Sequence, residues 1–283
     1  MVTDGTLTGF APAKVNLTLH LKGRRADGYH LMSSLVVFPE IGDHLTARAD
    51  NALGLTVSGP FAQGLDGDNL ILTAAERLSA HHGVAGGAAL HLVKNLPVAS
   101  GIGGGSTACA AALRLLSRLW QVKPPADLAL SLGADVPVCT MAPEPQIMEG
   151  IGEILSPAPA LPTCAMVLVN PGIGVSTQQI FARVEDPCPP DGPEMPGTFA
   201  SFVDLAAWLR RTRNDLEAPA RDLAPASGAV LDALSPAAVS RMSGSGATCW
   251  ALFPNMTEAE ALARTGRSRA PDWWVEAAWV RRP

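Results

Sequence analysis

Glycines crowd one stretch of this sequence, Leu96-Pro97-Val98-Ala99-Ser100-Gly101-Ile102-Gly103-Gly104-Gly105-Ser106-Thr107, and the Ala/Leu run 106–120 follows at once. Glycine lets a backbone approach an anion closely and point N–H groups at it, and a helix behind the loop aims its positive end at the same spot. The loop is not a Walker loop, because no Lys-Ser/Thr pair follows the glycines. It is not a dinucleotide fingerprint either, because the sixth position from Gly101 is Ser106. Taken alone, it could be a flexible connection ahead of a structural helix. Two charged residues favour chemistry. Lys14, in Ala11-Pro-Ala-Lys-Val-Asn, is one of four lysines against seventeen arginines. A lysine at the start of an apolar strand suits a compact point charge, and its plain alternative is a side chain snorkelling over the core. Asp135, in Leu132-Gly-Ala-Asp-Val-Pro, is an acid enclosed by apolar residues, a costly placement that a nearby lysine would offset. Its plain alternative is an acid bonded to backbone N–H groups at a helix end. Loop, lysine and acid together make up the kit of phosphoryl transfer: an anion cradle, a charge neutraliser and a base that orients the attacking hydroxyl.

Those residues need elements to hold them. Thr18–Leu21 alternates as a half-buried strand, Leu31–Phe38 reads as another, and Gly23–His30 between them has turn chemistry. His44–Ala49 and Leu53–Ser58 read as short strands, paired as a hairpin. Leu70–His82 has helical spacing, with Asp68 as a possible cap. Ala89–Val93 reads as a strand leading into the glycine loop, and Ser106–Trp120 as a helix without a breaker. A short helix over Leu128–Gly133 leads to Asp135. The Pro- and Gly-rich stretch Ala142–Pro162 reads as a domain boundary. Beyond it, strands are expected at Cys164–Asn170, Thr248–Phe253 and Trp273–Val280. Helices are expected at Thr177–Val184, Leu205–Arg213, Leu216–Leu223, Val230–Leu234 and Met256–Thr265, with a second glycine turn at Arg241–Gly246. Strands and helices in both halves imply a mixed α/β or α+β architecture.

The chain of 283 residues has room for two domains of about 150 residues each. Apolar residues make up 47% and charged residues 17%, which excludes a disordered or fibrous chain. A net charge of −5 lacks the footprint of a nucleic-acid binder, so any phosphate must be held locally. The five cysteines contain no C-x-x-C pair and support neither a zinc site nor a disulfide framework. The first ten residues lack the character of a signal peptide, and apolar runs such as Ala165–Val169 are too short to span a bilayer. A cytoplasmic protein with no nucleic-acid or membrane partner is expected.

Pro12-Ala-Lys-Val-Asn-Leu resembles the first motif of the GHMP kinases, the superfamily of galactose, homoserine, mevalonate and phosphomevalonate kinases. The 97–107 loop resembles the second motif and Ser243-Gly-Ser-Gly-Ala the third. Arg24-Arg-Ala-Asp-Gly-Tyr-His, Asp68-Asn-Leu-Ile, Leu132-Gly-Ala-Asp-Val-Pro, Gly150-Ile-Gly-Glu and Asn214-Asp-Leu-Glu narrow the resemblance to the branch whose acceptor alcohol carries a cytidyl diphosphate. The likeness covers residues 10–253 in the right order. It implies an α+β, two-domain fold: a ribosomal-S5-like N-terminal domain over 1–155 and a ferredoxin-like C-terminal domain over 156–283, with ATP and substrate between them. It implies transfer of the γ-phosphoryl of ATP, with Mg²⁺, to the 2-hydroxyl of a methylerythritol unit in the non-mevalonate route to isoprenoids. Carried over by position, Lys14 and Asp135 become the catalytic pair and the loop from Pro97 to Thr107 the phosphate cradle. Asn69 and Lys94 match positions near the adenosine. Asn16, Tyr29, His30, Thr177 and Phe181 match positions lining the cytidyl-substrate pocket. A monomer or homodimer is expected.

The sequence also departs from that pattern. Ser106-Thr107-Ala108 stands where Ser-Ser-Asp/Asn is usual, Ser100 and Ile102 replace Gly and Leu, and Val138-Cys139 replaces an aromatic pair ahead of a shortened segment. Other candidates are weaker. His81-His82 reads as a capping or surface pair rather than a metal site, and Trp273, Trp274 and Trp279 as packing for a last strand. Ser243-Gly-Ser-Gly-Ala is not G-x-S-x-G and reads as a turn of backbone donors at the rim of the site. The rivals are another superfamily kinase, such as a homoserine or mevalonate kinase, and a nucleotide-binding module without catalysis. Asp27-Gly-Tyr-His argues against the first, and the pairing of Lys14 with Asp135 against the second.

Overall fold

The fold is described here by a computed structural model covering residues 5–63, 65 and 69–281. In chain order its elements begin with β1 (Leu7–Pro12), β2 (Val15–Asn16), β3 (His20–Arg24), β4 (His30–Val37), β5 (Gly42–Asp50), β6 (Gly54–Ser58), α1 (Leu70–His82) and β7 (Gly87–Val93). There follow α2 (Gly104–Trp120), α3 (Leu128–Leu132), α4 (Val136–Thr140), β8 (Gln146–Gly150), β9 (Ile154–Pro157) and β10 (Cys164–Asn170). The rest are α5 (Thr177–Phe181), α6 (Phe202–Arg210), α7 (Glu217–Leu223), α8 (Ala226–Ala233), β11 (Val239–Met242), β12 (Cys249–Phe253), α9 (Met256–Arg269) and β13 (Trp274–Arg281). Contacts gather them into two units that interleave along the chain. One holds Met1–Ala13, Gly42–Val98 and Gly103–Ala142, and the other Lys14–Ile41, Ala99–Ile102 and Pro143–Pro283. The glycine loop thus contributes residues to both.

In the first unit the sheet order is β1-β5-β7-β6. The expected hairpin of β5 and β6 does not form, because β7 lies between them, antiparallel to β5 and parallel to β6. Gly87 makes room for this: a Cβ there would lie 2.1 Å from the backbone of Ala52, so the β5–β6 connection passes tightly over the start of β7. Turn residues at 50–54 mark a change of direction without naming the partner strand. The helix α1 supplies the crossover that a parallel pair requires. Its N-cap is Asn69, whose side chain accepts from Ile71 N; Asp68 lies outside the described residues. The small face of α2 (Ala108, Cys109, Ala111, Ala112) packs in one core with Leu45 and Ala47 of β5, Leu90 and Leu92 of β7, and Ile71, Ala74 and Leu78 of α1.

The second unit contains two sheets. The chain order β10, helices, β11, β12, α9, β13 gives an antiparallel sheet β11-β12-β10-β13, in which the first and last strands are neighbours. That is the ferredoxin-like arrangement. As a central strand β10 is buried at all seven residues, which explains its unbroken apolar run. In the other sheet β2 and β3 both pair with β4, and the order continues to β8 and β9. The strand expected from Thr18 starts only at His20; Thr18 Oγ1 instead accepts from Leu35 N at 2.9 Å. The hairpin β8–β9 occupies the stretch read from sequence as a boundary. Its turn is tight: Gly150 has φ 72°, and Ile151 N donates to Glu153 Oε2 at 2.6 Å. Pro157 ends the edge strand β9, where a missing donor is tolerated. Trp273 and Trp279 pack on the core of this unit, as expected. β1, β2, α4 and β11 were absent from the expectation, each being short; β11 takes in Arg241 and Met242, which were expected in the glycine turn.

Candidate active site

Three segments far apart in sequence meet in the second unit. Lys14 lies just before β2, within an unbroken buried run of residues 11–21, and is itself only 4% exposed. Its main-chain N–H donates to Ile102 O at 2.8 Å, and its Nζ donates to Asn16 Oδ1 at 3.0 Å. Asn16 Nδ2 donates to Ser34 Oγ, and Asn16 O accepts from Trp250 Nε1. The main-chain N–H of Asn16 donates to Ser243 Oγ, which donates to Gly101 O. Gly101 and Gly246 pass so closely that a Cβ on Gly101 would lie 2.4 Å from Gly246 O. Thr248 N adds a bond to Ser100 O. Lys14, Asn16, Ala99–Ile102 and Ser243–Gly246 therefore form one connected backbone scaffold.

Asn214-Asp-Leu-Glu holds that scaffold. Asn214 Nδ2 donates to the carbonyls of Met242 and Gly244, Asp215 accepts from Leu21 N, and Glu217 accepts from Met242 N. Arg241 is buried and donates to the carbonyls of Leu17, Leu209 and Thr212. Burial lowers its pKa to about 10, opposed by Glu217.

Among the residues matched to the cytidyl pocket, His30 and Phe181 come together, with ring centroids 5.1 Å apart and tilted by 32°. His30 Nδ1 is buried without a hydrogen-bond partner. Burial first, and then Arg24, lower the His30 pKa, which favours the neutral ring. Tyr29 projects from the turn with 59% exposure. Thr177 is exposed at the start of α5 and shares a hydrogen bond of 2.8 Å with Ser245.

In the first unit α2 begins at Gly104 without a side-chain cap on its first N–H groups. Left-handed φ recurs at Ala99 (51°) and Gly101 (75°), in the second unit, and at Gly103 (64°), the residue before α2. Thr107 Oγ1 is spent on the carbonyls of Gly103 and Gly104. Ala108, where the resemblance expected an Asp or Asn, is buried in the core of this unit. Asp135 stands half-buried at the N-cap of α4, and its carbonyl accepts from Cys139 N. Val138 and Cys139 are fully buried, with Cys139 O accepting from Arg114. Lys94 is buried and paired with Asp43, an acid that sequence reasoning missed. Nothing in the sequence of β5 set it apart, since the strand also carries His44, Arg48 and Asp50. His82 bonds to Lys123 O, in keeping with a surface role. Among the described residues no group of three or more His, Cys, Asp or Glu could hold a metal ion, and no helix is long and apolar enough to cross a membrane.

A glycine loop opening a helix, a buried lysine and a ferredoxin-like half define a small-molecule kinase fold. The family models for the GHMP kinases N terminal domain and the GHMP kinases C terminal match residues 69–142 and 197–272. The chain is 50% identical to 4-diphosphocytidyl-2-C-methyl-D-erythritol kinase of Dinoroseobacter shibae, over 97% of this chain and 95% of that protein. It is 48% identical to the protein of that name from Paramagnetospirillum magneticum, over 95% and 96%. A crystal structure of 4-(cytidine 5'-diphospho)-2C-methyl-D-erythritol kinase aligns with a TM-score of 0.78 at 31% identity, over 96% of this chain and 98% of that one. A homoserine kinase from Cytophaga hutchinsonii shares the fold, with a TM-score of 0.64 at 17% identity over 99% and 95% of the two chains. The chain thus belongs to the GHMP kinases and, within them, to the 4-diphosphocytidyl-2-C-methyl-D-erythritol kinase family.

Proposed function

We propose that the protein transfers the γ-phosphoryl group of ATP to the 2-hydroxyl of 4-diphosphocytidyl-2-C-methyl-D-erythritol, in the cytoplasm, as a step of the non-mevalonate route to isoprenoids. The carrying observation is the meeting of Lys14, Asn16, Gly101 and Ser243 in one hydrogen-bonded scaffold, because it joins all three motifs of the kinase superfamily. In this reading Asp135 accepts the proton of the acceptor hydroxyl, or orients it, as the oxygen–phosphorus bond forms and ADP leaves. Lys14 offsets negative charge on the transferred group. The loop from Pro97 to Thr107 cradles the phosphates; Asn69 and Lys94 sit with the adenosine. Tyr29 and Phe181 hold the cytosine between them, His30 reads its polar edge, and Asn16 and Thr177 line the rest of that pocket. Mg²⁺ is expected with the nucleotide, where it would screen the charge of the phosphates. The division into an N-terminal domain over 1–155 and a C-terminal domain over 156–283 belongs to the same reading; the family models match 69–142 and 197–272. Every residue invoked lies on one chain, so the reading holds for a monomer or a homodimer.

The test is incubation with Mg-ATP and, separately, the cytidyl acceptor, mevalonate and homoserine. ADP release with the cytidyl acceptor alone is expected. Release only with a non-cytidyl acceptor would overturn the assignment.

A further inference from the structure

We infer that Asp43 is a positioning residue for nucleotide binding, acting through Lys94 and the start of the glycine loop. The inference rests on the reading of Lys94 as a nucleotide contact. Asp43, the second residue of β5, is 0% exposed, a placement that is costly unless both carboxylate oxygens are satisfied. Both are. Oδ1 accepts from Asn95 N at 2.7 Å and from Leu96 N at 2.8 Å, so it fixes the chain where it leaves β7 for the loop. Oδ2 accepts from Lys94 Nζ at 2.7 Å.

Lys94 is clamped at its backbone as well. Its N–H donates to Ser58 O, and its carbonyl accepts from Phe61 N. Gly59 packs so tightly that a Cβ there would lie 2.6 Å from Lys94 O. The ammonium lies beside the first residue of α2, where a Cβ on Gly104 would sit 3.1 Å from Nζ. A cation at that end of a helix meets the positive pole of the dipole, and it is repelled unless an anion shares the place. Burial lowers the Lys94 pKa as well, while Asp43 raises it. Asp43 is that anion, and it holds the ammonium beside the first turn of α2, where the nucleotide is read to bind. Among the described residues Asp43 is the one hydrogen-bond partner of Nζ, which leaves two N–H donors of the ammonium for a ligand. The fixed carboxylate sets where those donors point.

Asp43→Asn keeps an oxygen for the two backbone N–H groups and removes the charge that holds Lys94. Loss of one charge-assisted hydrogen bond predicts a rise of about tenfold in the Kd and KM for ATP. The KM for the acceptor should stay within about twofold, which general misfolding would not produce. In a Lys94→Met background the same substitution should add nothing, because the group through which Asp43 acts is gone. Asp43→Glu keeps the charge but moves it by one methylene. It should raise the ATP Kd severalfold with the unfolding midpoint preserved, so the question is answered even where the Asn variant folds poorly. Calorimetric ATP Kd without acceptor keeps the result independent of the acceptor assignment. An ATP Kd within about twofold of wild type in both Asp43 variants overturns the inference, and so does a full effect of Asp43→Asn in the Lys94→Met background. An unchanged ATP Kd in Lys94→Met alone overturns the reading of Lys94 itself, and the inference with it.

Discussion

Asn16 and Ser243 meet across 227 residues of sequence: the main-chain N–H of Asn16 donates to Ser243 Oγ at 3.2 Å, and that hydroxyl donates to Gly101 O at 3.0 Å. One buried hydroxyl thus ties the lysine strand to the glycine loop. Ser243→Ala strands a buried donor and an acceptor, which should cost about 1–3 kcal/mol of stability. Activity should fall more than a stability loss of that size explains, since Lys14 and the loop lose their common tie. Denaturant midpoints measured beside kcat/KM decide it; a variant as stable and as active as wild type would refute the role of this bridge.

Asp135→Asn should leave ATP binding nearly intact and lower kcat by about 10²–10⁴, the scale of a lost general base. Turnover within about threefold of wild type would withdraw that role. Lys14→Arg should not rescue activity. The Lys14 ammonium is buried against Asn16 Oδ1, and a planar fork does not fit a place made for a point charge.

Tyr29 is 59% exposed while Phe181 packs on His30, so the tyrosine can be removed without opening a core. Base stacking on an aromatic ring contributes about 1–3 kcal/mol. Tyr29→Ala should therefore weaken the cytidyl acceptor by about 5- to 150-fold and leave ATP affinity unchanged, and Tyr29→Phe should resemble wild type. Isothermal calorimetry with each ligand reads both; an unchanged acceptor affinity in the alanine variant removes Tyr29 from the site.

Stability should fall on mild acidification. Burial first, and then Arg213, push the His20 pKa below 6.5, and its Nε2 accepts from Arg213 N at 3.3 Å, which requires the neutral ring. Gly192 packs directly on that imidazole. Lys22 and Arg241 also oppose its protonation, with Asp215 favouring it. A base whose folded pKa is depressed binds fewer protons folded than unfolded. Stability is therefore level above the unfolded value of about 6.5 and declines as pH falls below it. Urea midpoints between pH 8 and pH 5 should show this decline, and His20→Gln should make it shallower. The remainder would come from His30, whose pKa is also lowered. An identical decline in the variant excludes His20 as a cause.

The residues that carry chemistry were legible in the sequence because chemistry restricts residue type: only glycines allow the backbone path at Gly101 and Gly246. The helices α1 and α2 and the strand β10 were legible too, since an amphipathic period or an unbroken apolar run records burial locally. Pairing was not. The sequence of β6 looks the same whether it pairs with β5 or with β7, and the choice was made by the close passage of Gly87 against Ala52 and by the crossover helix. In the same way the Pro- and Gly-rich stretch after Ala142 held a hairpin, because Gly150 and Glu153 close a turn there and β4 offers an edge. Asp43 stayed hidden for a related reason. Its significance lies in three donors from residues 94–96, some fifty positions away, and an acid's burial and partners are decided only when distant segments pack together.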